Sequence, residues 1–146
     1  MKNSKKNAKP KIVAVTPAGE RHQVGTVCSD SGISDYMKSP CKDCPWKVSS
    51  TGEFPAEAFI HSATTAYDMA SNTFACHSAG CEKPKTCAGF LLIGSDHNLA
   101  VRMKRILGEN FDGLNDGGHE LFKSYREMAI ANGVEDNHPA LAPCRD

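Results

Sequence analysis

Two patches of cysteine constrain this chain more than any other feature. The first, "PCKDCPW" at residues 40–46, sets Cys41 and Cys44 two residues apart, between prolines and just before the only tryptophan. The second, "FACHSAGCEKPKTCAGF" from residue 74, gathers Cys76, His77, Cys81 and Cys87 some thirty residues later. A Cys-x-x-Cys pair delivers two thiolates from one tight turn. Zinc takes four ligands in a tetrahedron, so a fold that returns the second patch to the first would close a metal site. A chain of 146 residues is long enough for one domain. Its hydrophobic fraction of 40%, aromatic fraction of 7%, 12 Gly and 8 Pro imply a thin core and much irregular chain, which gains from such a staple.

Compartment decides between metal and disulfides. The start, "MKNSKKNAKPKIVAV", is positive but has only a short apolar run and no small-residue cleavage site, so it does not read as a signal peptide. No stretch approaches the roughly 20 apolar residues of a membrane span. The expectation is a cytoplasmic protein without membrane attachment, in which thiols stay reduced and clustered cysteines bind metal. The total of seven cysteines is odd, which also argues against a complete disulfide framework.

The choice of ligands depends on spacing. Cys76 and His77 are adjacent, so their side chains diverge and one ion would seldom take both. The preferred set is Cys41, Cys44, His77 and Cys87, with Cys76 in place of His77 as the close alternative. An all-cysteine set would also suit an iron–sulfur cluster, since soft thiolates serve both metals; His77 beside the cluster favours Zn2+. Cys81 reads as an exposed or spare thiol in a turn, Cys28 as structural, and Cys144 as a free thiol in an irregular tail. Trp46 and Phe90 are expected to shield the thiolates, with Trp46 as a stacking or partner hot spot the sharper alternative.

Three enzymatic readings of the same residues are weaker. A thioredoxin-type dithiol expects its Cys-x-x-Cys at the end of a strand opening a helix, whereas loop precedes Cys41 and Pro45 follows Cys44. A zinc deaminase pairs Pro-Cys-x-x-Cys with an upstream His-x-Glu, and after His22 the glutamate's position holds Val24. A His-Asn-His type nuclease could draw on "DHN" at 96–98 and "GGHE" at 117–120, but both cysteine patches precede that motif.

Periodicity predicts an α-rich, small α+β domain of about three helices with a short N-terminal strand. "KIVAV" at 11–15 reads as the strand and residues 20–40 as loop. Residues 55–70 carry one apolar stripe from Ala56 to Ala70, with Pro55 in the first turn and His61 solvated. Residues 98–107 form a second helix capped by Asp96 or Ser95 and ended by Gly108; residues 118–132 form a third, ended by Gly133. The glycine-rich "GENFDGLNDGG" between them reads as a tether rather than a phosphate cradle. His119 is expected near a helix start and His138 in loop.

Charge divides the chain unevenly. Formal net charge is zero, yet residues 1–11 hold five lysines and no acid, which leaves the remainder acidic by five. The expected organisation is a basic flexible arm, 1–11, and a single metal-stabilised domain, 12–146. Such an arm solubilises, or contacts phosphates non-specifically.

Together "CKDCPWK", "FACHSAG" and "CAGFL" resemble a group of small, mostly uncharacterised bacterial and phage Cys-rich proteins that share a Cys-x-x-Cys-Pro-Trp start, a Cys-His pair and a late Cys-x-Gly-aromatic. The resemblance covers residues 41–107 and implies metal binding at Cys41, Cys44, Cys76, His77 and Cys87 without implying an activity. Lys47 stands where that group has arginine after Pro-Trp. The resulting expectation is a non-enzymatic zinc-binding accessory protein, of phage or mobile-element type, that binds a host protein or nucleoprotein complex in the host cytoplasm, with inhibition as one mode. Direct DNA or RNA binding through the arm and Arg102–Arg105 is the first alternative, and an iron–sulfur or metal-dependent enzyme the second.

Overall fold

The computed structural model describes residues 11–17, 23–28, 35–79 and 84–144, with backbone alone for the first two runs and for His77. Strand β1, Lys11–Pro17, pairs antiparallel with β2, Gln23–Cys28, with Lys11 opposite Cys28 and an irregularity between Ile12 and Ala14. The strand expected from Lys11 is therefore present, and part of the expected loop is its partner. "QVGTVC" has no period of its own, but pairing satisfies its backbone groups without one. Residues 1–10 of the basic arm lie outside the described residues, and Lys11 belongs to β1.

Beyond this hairpin the chain is mostly helical with little strand. Helices α1, Ala56–Ser62, α2, Leu99–Ile106, and α3, Tyr125–Ala131, are joined by short 3-10 turns and by a π-helical turn at Phe90–Gly94. All three helices are shorter than their apolar periods predict. Helix α1 stops at Ser62 instead of running to Ala70. A 3-10 turn, Ala63–Ala66, succeeds it, in which the Thr65 hydroxyl donates to the Ser62 carbonyl at 2.8 Å. Tyr67 is then drawn out into a bridge with Cys144 and donates its hydroxyl to the Ala140 carbonyl at 2.7 Å. Pro55 sits at the cap rather than inside the first turn.

Helix α2 is capped by Asn98, whose side-chain oxygen accepts from the Val101 N–H, and not by Asp96 or Ser95. Gly108, at φ +101°, ends it as expected. Helix α3 begins seven residues later than its apolar pattern suggests, because Gly117 and Gly118 both take positive φ. Leu121 then bridges Lys47, and the Phe122 N–H donates to the Trp46 carbonyl. His119 accordingly lies in a turn, exposed, and not in a helix. Ser124 caps α3 through the Glu127 N–H, and Gly133 closes it.

One core joins these pieces. Trp46, Phe59, Phe90, Tyr125, Met128 and Leu141 are all buried in it. The C-terminal tail is part of that core: Arg126 donates to the carbonyls of Leu141 and Cys144 at 2.8 and 3.1 Å, and Cys144 is a buried free thiol. Among the described residues, no helix is long and apolar enough to cross a membrane.

Candidate metal centre

Two successive turns present the first cysteine pair. The Cys44 N–H bonds the Cys41 carbonyl at 3.2 Å, and the Lys47 N–H bonds the Cys44 carbonyl at 3.1 Å. Pro45 occupies the second position of the second turn, where its fixed φ is already correct. The second patch is held by a short antiparallel pairing. Ala75 faces Thr86, Cys76 donates its N–H to Lys85 at 2.7 Å, and Cys87 donates its N–H to Phe74 at 2.8 Å. Thr86 is in turn fastened to the residues just before the first patch, through Thr86 N–H to Asp35 and Met37 N–H to Thr86.

That register has a consequence for the side chains. Residues directly opposite in a ladder share a face, and their neighbours share the other. With Ala75 opposite Thr86, Cys76 and Cys87 emerge together on the second face, toward the Cys41–Cys44 turn. His77 leaves the pairing and opens a 3-10 turn, His77–Ala79. The His77 side chain and all of Cys81 lie outside the described residues.

Four thiols are therefore linked by pairwise contacts. Cys44 Sγ lies 3.7 Å from Cys87 Sγ, and the Cys41 thiol interacts with those of Cys44 and Cys76. Cys44, Cys76 and Cys87 are buried, and Cys41 is half-buried. The contacts run as a chain from Cys76 through Cys41 and Cys44 to Cys87. Among the described residues, no group of three or more His, Cys, Asp or Glu side chains is placed so that it could hold a metal ion. All four are free thiols.

Crowding makes these protons hard to remove. The Cys44 contact, then burial, pushes the Cys41 thiol far above the ordinary range. The contact from Cys41 is the largest influence on Cys44 and lowers it, but the Cys87 contact and burial outweigh it and push Cys44 up to about 12. Burial, then the charge of Cys41, raises Cys76. A redox dithiol needs one thiol lowered, and the two thiols of this Cys-x-x-Cys pair move the other way.

Behind the sulfurs sits Trp46, wholly buried, with its ring edge-on to Phe74 and to Tyr125. It cannot be a base-stacking or partner-facing side chain, because none of it reaches the surface. A Cβ built on Gly89 would lie 2.4 Å from Trp46 Cβ, and one on Gly94 would lie 2.5 Å from the far end of the indole. The two glycines of "CAGFLLIG" are thus the slot for the tryptophan, and Gly89 serves close approach to a ring. The indole N–H is buried without a hydrogen-bond partner among the described residues.

The remaining expected residues are elsewhere. Asn98 of the "DHN" motif is buried and committed to capping, which removes it from nuclease chemistry. His61 is exposed, and His138 Nδ1 accepts from the Ala140 N–H. A hollow of about 350 Å³ between Tyr36 and residues 108–112 contains neither thiol nor imidazole, and its carboxylates, Glu109 and Asp112, are exposed to water.

A family model matches residues 36–145, from just before the Cys41 turn to the end of the tail. The chain belongs to DUF6283, a family of unknown function. The DUF6283 match takes in all four converging thiols, the three α-helices and Cys144, and leaves the β1–β2 hairpin outside. No curated protein matches the chain, and no solved structure does.

Proposed function

We propose that this DUF6283 protein is a non-enzymatic binding module built round one structural Zn2+ held by Cys41, Cys44, Cys76 and Cys87. The observation that carries this reading is the chain of contacts that links those four thiols. A Zn–S length of about 2.3 Å puts two sulfurs of one tetrahedron about 3.8 Å apart, and Cys44 and Cys87 stand at 3.7 Å. An iron–sulfur cubane holds each thiolate on a different iron and spreads them wider, so the Cys44–Cys87 separation favours two thiolates on one ion over a cubane. Cys76 replaces His77 in the ligand set because it shares a ladder face with Cys87. Four protein ligands leave no open position for water, so such an ion stabilises rather than catalyses.

Binding then belongs to the surface. Helix α2 ends with Met103, Ile106 and Leu107 on one exposed face, Ile106 at 75% and Leu107 at 80%, beside exposed Arg102 and Arg105. Cations alone would fit a nucleic acid. Large apolar side chains among them favour a protein partner with an acidic, partly apolar surface, which agrees with a host protein or nucleoprotein complex as target.

Metal analysis and an absorption spectrum on freshly purified protein test the centre. The expected result is one zinc per chain, no visible absorption, loss of metal in Cys76→Ser and retention in His77→Ala. A brown sample would replace zinc with an iron–sulfur cluster. A reduced, cooperatively folded chain without metal would end the reading.

A further inference from the structure

Helix α2 carries its apolar stripe on the side away from the core. Val101, its buried residue, packs inward, whereas Met103, Ile106 and Leu107 follow at the three- and four-residue spacing of the opposite face and are exposed. The end of the helix accounts for their exposure. The Gly108 N–H closes on the Arg105 carbonyl at 3.1 Å and the Glu109 N–H on the Lys104 carbonyl at 3.0 Å, a double closure in which the residue after the glycine is often apolar and packs back on the last turn. Glu109 stands in that place, so the last turn gains no apolar cover from it. Charge also changes sign across this apolar end. Exposed Arg102 lies one turn before Ile106, and exposed Glu109 and Asp112 follow Leu107. Arg105 is already engaged, with Asp96 at 3.9 Å and over the Phe111 ring at 5.6 Å. Asp112 accepts the Tyr36 hydroxyl through its backbone carbonyl at 2.7 Å, so its carboxylate is not used there.

We infer that this face binds a second copy of the chain, as a two-fold dimer centred on Ile106 and Leu107. This rests on the reading of the α2 face as protein-binding and names its partner: the acidic, partly apolar surface which that reading requires is present on the chain itself. A two-fold contact is self-complementary, so if residue i of one copy meets residue j of the other, j also meets i. A surface that runs from cation through apolar centre to acid meets that condition. With the axis through Ile106 and Leu107, Arg102 of each copy comes to Glu109 and Asp112 of the other, and the two apolar centres cover each other. A nucleic acid or an anionic lipid surface fits less well, because the charge that attracts Arg102 repels Glu109 and Asp112 beside it. Three large apolar side chains make a small contact, so the dimer is a weak one that forms with concentration.

Sedimentation velocity of the full chain over a dilution series up to about 1 mM tests this, with metal content measured on the same samples. Wild type is expected to pass from monomer to dimer. Ile106→Ser, at an exposed position, is expected to remain monomeric with a nearly unchanged urea midpoint. Arg102→Glu and Glu109→Arg each bring like charges together twice in the dimer, and each is expected to weaken it about 10-fold or more. An equimolar mixture of those two variants brings opposite charges together at both places, so it is expected to recover the association that each lacks alone. Charges that act only through the net charge of the chain would not give that recovery. Wild type that stays monomeric, a dimer indifferent to Ile106→Ser, or a mixture that associates no better than its components would each overturn the inference and leave the zinc reading intact. A folded chain that holds no metal and still dimerises with this pattern would overturn the zinc reading and leave the dimer.

Discussion

At the scale of single residues, the sharpest constraint is the fit of Trp46 between two glycines. Gly89→Ala would drive a methyl group to 2.4 Å from Trp46 Cβ, so ring or helix must move. Overpacking of this kind costs about 1–3 kcal/mol. Gly52→Ala is the control: its φ of +87° strains any side chain, but its surroundings are open, and the cost is about 1 kcal/mol. Urea unfolding of the two variants should rank Gly89→Ala as the more damaging, and the reverse order would mean that the slot is loose. The glycine two positions after Cys87 was visible in "CAGF". That the needed space belongs to a tryptophan forty-three residues earlier was not, because close approach of two distant segments leaves no local pattern.

Among the elements, the helices are set by their caps more than by their stripes. Asn98 accepts from the Val101 N–H at 3.1 Å and donates to the Asn72 carbonyl at 2.7 Å, and it is buried. Asn98→Ala therefore removes a cap and also the hydrogen bond that ties Asn72 to α2, an expected loss of about 2 kcal/mol. Ser124→Ala removes only the cap of α3, at about 1 kcal/mol. Chemical denaturation should separate them in that order. The apolar periods of residues 55–70 and 118–132 correctly located helices but overstated them. Tyr67 and Leu121 satisfy the same apolar spacing whether they continue a helix or leave it to bridge Cys144 and Lys47, and only the distant partner distinguishes the cases.

For the whole molecule, stability and the state of the thiols are linked. The folded, metal-free chain holds protons on Cys41, Cys44 and Cys76 more tightly than an unfolded chain does, whose thiols titrate near 9.0. Stability of the metal-free form is thus fully present below about pH 9 and falls as pH rises toward about 12, the value for Cys44. Urea midpoints at about pH 7 and about pH 10, with and without a chelator, should show this alkaline loss only when metal is absent, because ligated sulfurs carry no protons to lose. No difference between the two forms would mean that the thiols do not ionise as a group. The sequence alone determined the Cys41–Cys44 turn, the nearness of Cys76 and Cys87 along the chain, and a mostly helical domain with little strand, since turn chemistry and apolar period are local. Tertiary structure decided which side chains stand beside Cys41, why Trp46 is hidden, and that Lys47 is buried. Those depend on Thr86 pairing with Ala75 and on Leu121 pairing with Lys47, contacts between segments whose meeting is fixed by the free energy of the whole core and not by any neighbouring residue.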